Sequence, residues 1–303
     1  MEEIREKRND WHGKCQGKDI EMSETVGLRR RIGLFALFLL CGLLVFVADD
    51  FLKNEIQVIF RICITAAFLL IALWLRKNEQ RGKYFQVTFA FFIISLVTLL
   101  NSLLPFPGSN SDPTVKGYLL HQIFSTLVIV IPIVLLTRLS GNSMGSIYLQ
   151  KGRLRLGLLI GLVPFLFFVI LILVFPAGLK YASMLFSISE DITYEKILSL
   201  MPIVVVFVLL NGFKEELWAR GVFLKRFEIF VGAWPSNILT AFVFAAGHVG
   251  VSYTPVLFIF LGITFALGLA WGYVMQKTNS LIGSALFHAA MDITIVLGIF
   301  SFL

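Results

Sequence analysis

Charged side chains are scarce in this chain: they make up 15% of its 303 residues, where a soluble domain carries about 25%. With 57% hydrophobic residues and a mean hydropathy of +0.85, too few polar side chains remain to clothe a core of this size in water. An ordinary soluble globule is excluded. Cysteine is scarce too. Of the three, Cys15 lies in a polar tail and Cys41 and Cys63 in apolar runs. An odd count without CxxC or finger spacing implies neither a disulfide framework nor a zinc finger. Polar and apolar residues do not alternate in runs such as FLFFVILILVF, which excludes barrel strands. Small residues are missing where a signal peptide would be cleaved, because Phe46, Val47 and Ala48 run into Asp49 and Asp50. An uncleaved signal anchor is expected.

What is present is a series of long apolar runs. A membrane-crossing helix needs about 20 apolar residues, and walking the chain gives candidates near 32–51, 56–75, 84–104, 119–137, 154–178, 194–213, 236–250, 254–275 and 280–302. They predict an all-α polytopic transmembrane bundle of eight to nine spans. The net charge of +7 sits between these runs, so it reports topology and implies no nucleic-acid partner. Arg29, Arg30 and Arg31, then Arg76, Lys77, Arg81 and Lys83, then Arg138, Lys151, Arg153 and Arg155, then Arg220, Lys225 and Arg226, then Lys277 fall in alternate connections. The opposite connections hold Lys53, Lys116, Lys180 and Lys196 among Asp49, Asp50, Glu55, Asp112, Glu190, Asp191 and Glu195. Lysine and arginine accumulate on the cytoplasmic side. Nine spans in a plasma membrane, with the N-terminus inside and the C-terminus outside, satisfy every loop. The organisation expected is a basic cytoplasmic tail over 1–31, transmembrane helices over 32–150, and a core over 151–303 that carries the remaining polar residues. The stretch 105–118 is the most turn-rich and is expected outside.

An ionisable side chain at membrane depth is costly, so each one is a functional candidate. Setting aside loops and helix ends leaves Arg61, Glu215, Glu216, Arg220, His248, His288 and Asp292. Arg61 is close enough to its helix end to snorkel. Glu216 and Arg220, at i and i+4, can pair on one helix face. Glu215 then projects about 100° away, with Asn211 one turn before it. His248 follows Phe244 by one turn, and His288 and Asp292 share a face. Counted at about 1.5 Å per residue from one side, Glu215, His248, His288 and Asp292 reach similar depths, which points to a shared water-filled cavity. Taken alone, the His288 and Asp292 pair could be metal ligands, an orienting pair or a proton relay.

The ordered set Glu215-Glu216-x-x-x-Arg220, Phe244-x-x-x-His248 and His288-x-x-x-Asp292 resembles the CPBP intramembrane proteases, the CAAX prenyl protease and bacteriocin-processing or bacteriocin-immunity proteins also called the ABI family. The resemblance covers roughly residues 150–303. It implies hydrolysis of a peptide bond in a peptide or protein substrate at a cavity open to the cytoplasm. Glu215 would activate a water, His248 would help hold it, His288 and Asp292 would stabilise the oxyanion, and Glu216 and Arg220 would support the first helix. Family members commonly carry Asn where this chain has Asp292. Glu215, His248, His288 and Asp292 could also ligate a divalent metal such as zinc, but no HExxH pair supplies two ligands from one turn, so the metal-free, glutamate-based route is expected. The alternative is a non-catalytic peptide-binding or immunity protein that uses the same cavity.

Overall fold

The computed structural model describes residues 27–78, 80–104, 113–176 and 185–303. The tail up to residue 26 with Cys15, the stretch 105–112 with Asp112, and residues 177–184 with Lys180 lie outside the described residues.

The described residues are mostly helical, without strands. The helices are α1 (Leu28–Phe46), α2 (Asn54–Lys77), α3 (Phe85–Leu103), α4 (Val115–Leu139), α5 (Leu154–Val174), α6 (Tyr194–Glu216), α7 (Leu224–Val231), α8 (Ala233–Ala246), α9 (Leu257–Thr278) and α10 (Ile282–Ser301). Every apolar run of the sequence corresponds to a helix. Among the described residues seven are long and apolar enough to cross a membrane. The other two differ for stated reasons. Helix α1 opens on Arg29, Arg30 and Arg31, and α8 has only 14 residues, about 21 Å against a hydrocarbon core of about 30 Å. The run expected at 194–213 continues into a single helical stretch of 38 residues, Tyr194–Val231.

Local chemistry sets the ends. Thr114 and Thr193 cap α4 and α6, their hydroxyls accepting from Gly117 N at 3.1 Å and Lys196 N at 3.3 Å, each satisfying an otherwise unpaired first-turn donor. Pro132, Pro164 and Pro202 stand inside α4, α5 and α6; in a membrane helix, neighbouring helices make such breaks in the ladder tolerable.

Two apolar clusters hold the bundle. One joins α1, α3 and α7 through Phe38, Phe91, Phe223 and Phe227, with Phe38 stacked on Phe227 at 4.9 Å. The other joins α5, α6 and α10 through Phe165, Val204, Ile293 and Phe300. Helix α10 packs chiefly on α5 and α6. The approach of α6 to α10 is very close at Gly212, where an added Cβ would lie 2.6 Å from the Ala285 carbonyl oxygen. Only glycine permits that distance, and it brings the polar face of α10 against the carboxylates of α6.

Candidate active site

Glu215 and Glu216 close the regular helix α6, as the sequence places them, and the backbone changes just after them. Leu217–Gly221 is a π-helical turn between α6 and the segment leading into α7, a wider winding frequent at functional sites. Across it, Glu216 Oε1 and Arg220 Nη1 pair at 2.5 Å, both fully buried. The remaining bonds of Glu216 go to α10: its Oε1 lies 2.9 Å from His288 Nδ1, and its Oε2 accepts from the Ser284 hydroxyl. Arg220 also donates from Nε to the Gly268 carbonyl at 3.3 Å and lies over the Phe244 ring at 4.4 Å and the Trp271 ring at 5.3 Å. Every oxygen of Glu216 is thus committed to holding helices together.

Glu215 is in a different situation. Its side chain keeps 19% exposure against 0% for Glu216, and it lines a cavity of about 390 Å³ together with Asn211, His248, His288 and Asp292. His288 is the centre of the group. Its ring is stacked on Trp271 at 4.0 Å and 6°. A carboxylate oxygen only accepts, so the contact with Glu216 requires the proton on Nδ1 and leaves Nε2 facing the cavity, 3.6 Å from Glu215 Oε2 and 3.6 Å from Asp292 Oδ1. The other oxygen of Asp292 accepts from Asn211 Nδ2 at 2.9 Å.

His248 lies just outside the helix in which the sequence placed it. Helix α8 ends at Ala246, and His248 stands in the following turn beside Gly247 and Gly250. Its Nδ1 lies 2.8 Å from the Phe244 carbonyl oxygen, and its ring packs on Phe244 at 4.6 Å. The spacing of one turn between the two residues therefore sets the ring and leaves Nε2 as the nitrogen available for chemistry. Tyr253, in the same connection, also lines the cavity. Burial pushes its hydroxyl above the ordinary phenol range, and the carboxylates of Glu215 and Asp292 push it further, so it remains a donor.

Several participants carry no charge. Ser284 was legible, since 284, 288 and 292 share a helix face at four-residue spacing. Gln122 of α4 was not, because an amide in an apolar run carries no charge signal. It donates from Nε2 to Asn211 Oδ1 at 3.2 Å and accepts from Lys214 Nζ at 3.1 Å, completing the chain Lys214, Gln122, Asn211, Asp292. Trp271 had no local signal at all. Arg61 stands apart from the group around His288, beside a second cavity of about 290 Å³.

A metal centre needs three or four converging donors. Among the described residues no group of three His, Cys, Asp or Glu side chains is arranged to hold an ion, and Glu216, His248 Nδ1 and His288 Nδ1 are already committed to protein partners.

The main cavity extends well beyond the ionisable residues. From His288 the lining runs along Val296 and Ile299 to Leu185, Phe186 and Tyr253, in the connections before α6 and before α9, away from the connections rich in Lys and Arg.

Comparison with known families places residues 197–294 within the model of the Rce1-like type II CAAX prenyl endopeptidases, in agreement with the resemblance read from the motifs. The matched segment contains Glu215, Glu216, Arg220, His248, His288 and Asp292. No curated protein and no solved structure matches the chain.

Proposed function

We propose that this integral membrane protein is an endopeptidase in which Glu215 activates a water for attack on a peptide carbonyl. Amide hydrolysis needs a base, a placed water and donors at the developing oxyanion. Glu215 supplies the base, and the water sits between its carboxylate and Nε2 of His248. His288 faces the carbonyl oxygen. His288 donates from Nε2 in its doubly protonated form, and Asp292, bonded to Asn211, orients it. Trp271 and Glu216 hold the imidazole ring on two sides, so the donor direction is set before substrate arrives. The chemistry uses this chain's own side chains throughout.

The observation that carries the reading is the division of labour within Glu215-Glu216: one carboxylate is spent on Arg220, Ser284 and His288, and its neighbour is left facing the cavity. The test is comparative proteomics of membranes carrying wild type, Glu215→Gln or His248→Ala. Peptide termini present with wild type should vanish in both variants while both proteins accumulate normally. Termini that persist in either variant would overturn the reading. Function retained by Glu215→Gln would instead favour a protein that holds a peptide in the cavity without cleaving it.

A further inference from the structure

Hydrogen bonds between connections sort the bundle into two ends. At one end Arg153 N donates to Thr278 O at 2.7 Å, Leu281 N to Tyr148 O at 3.0 Å and Lys225 Nζ to Gly145 O at 2.6 Å. Asn142 donates to Gln86 at 2.6 Å and Arg30 to the Tyr84 hydroxyl at 2.7 Å. This end gathers the start of α1 and the connections α2–α3, α4–α5 and α9–α10. At the other end Ser187 N donates to Tyr253 O at 2.9 Å, Thr254 Oγ1 to Leu185 O at 2.7 Å and Ser189 N to Ser301 Oγ at 2.8 Å. That end gathers the connections before α6 and before α9 with the close of α10.

The ends differ in charge. The first carries Arg29 to Arg31, Arg76, Lys77, Arg138 and Arg153, while the second carries Asp50, Glu190, Asp191 and Glu195 with Lys53 and Lys196. They also differ in access. Toward the first end the site is closed by Glu216, Arg220, Leu217 and Ser284, all fully buried. Toward the second end the main cavity runs to Leu185, Phe186 and Tyr253. The second cavity reaches Glu215 from the same end, past Asp50, Asn101, Ser125 and Lys214. Its lining is polar where the first is largely aromatic and aliphatic, so the two separate a route for water from one for an apolar chain.

Connections rich in lysine and arginine stay in the cytoplasm. We infer that Glu215 is reached from the extracytoplasmic side, and that the substrate is an apolar peptide segment presented at the outer face of the membrane. The inference rests on the endopeptidase reading above and names its substrate class. Phe186, Phe207 and Phe260 line the cavity that would take the segment.

The test uses the full chain in intact cells, with Cys15, Cys41 and Cys63 replaced by serine. Ser187→Cys places a thiol at an exposed position next to Phe186 of the cavity lining, and Lys83→Cys places one at the basic end. A membrane-impermeant maleimide should label Ser187→Cys in intact cells and Lys83→Cys only after permeabilisation; the reverse pattern overturns the inference. Modifying Ser187→Cys in intact cells with maleimide-polyethylene glycol should then remove the Glu215-dependent peptide termini. Termini that persist after full modification overturn the access route and leave the endopeptidase reading standing. If unmodified cells show no Glu215-dependent termini, the endopeptidase reading fails, and with it the substrate class, while the labelling pattern still decides which face the cavity meets.

Discussion

His288 Nδ1 lies 2.9 Å from Glu216 Oε1, so the acidic residue that orients the central histidine is the neighbour of the one that faces the cavity. Adjacent carboxylates acquire opposite tasks because the π turn, the Arg220 pair and the Ser284 hydroxyl all draw on Glu216 alone.

The two glutamates should therefore fail differently. Glu215→Gln should abolish cleavage and leave thermal unfolding in detergent unchanged. Glu216→Gln leaves Arg220 buried without its counter-charge, a defect worth about 3–5 kcal/mol, and should lower the unfolding midpoint as well as activity. Equal midpoints for the two variants would refute the division of labour.

Asp292→Asn should keep most activity, since the amide still accepts from Asn211 through its oxygen and can donate into the cavity. Asp292→Ala should lower kcat, since His288 then loses the carboxylate that orients it. Steady-state kinetics of the purified protein on a substrate peptide would decide, and an inactive Asp292→Asn would show that the negative charge is itself required.

Gln122→Leu removes both amide bonds in the chain from Lys214 to Asn211, leaving buried polar partners unsatisfied at about 1–3 kcal/mol. A fall in kcat with KM little changed is expected, although the helix lies outside the matched segment. Unchanged kinetics would show that Asn211 holds Asp292 without this support.

Gly212→Val should separate α6 from α10 and pull Glu216 from His288, with loss of cleavage. Gly262→Val on α9, where an added Cβ meets nothing within 4 Å, is the control and should remain active. Comparable activity in the two variants would argue against the close approach.

Prolonged dialysis against a chelator should leave cleavage intact, because among the described residues no three His, Cys, Asp or Glu side chains are arranged to hold an ion. Activity lost on dialysis and restored by zinc would reassign Glu215, His248 and Asp292 as ligands.

The sequence by itself determined the solvent, the helices and the short set of suspects. An apolar chain with 15% charge must fold in lipid, and against that background the spacing of Glu216 with Arg220 and of His288 with Asp292 is visible as shared helix faces. Neutral participants such as Gln122 and Trp271 carried no such mark, since amides and indoles are tolerated anywhere in a packed bundle. Tertiary structure decided which carboxylate is spent and which is left open. That choice depends on a π turn and on the approach of α10 to Gly212, neither of which a residue pattern on a single helix encodes. Tertiary structure also decided what lines the cavity. Depth counted along separate helices gives distances from a surface, but only the packing of α6, α9 and α10 shows which residues meet.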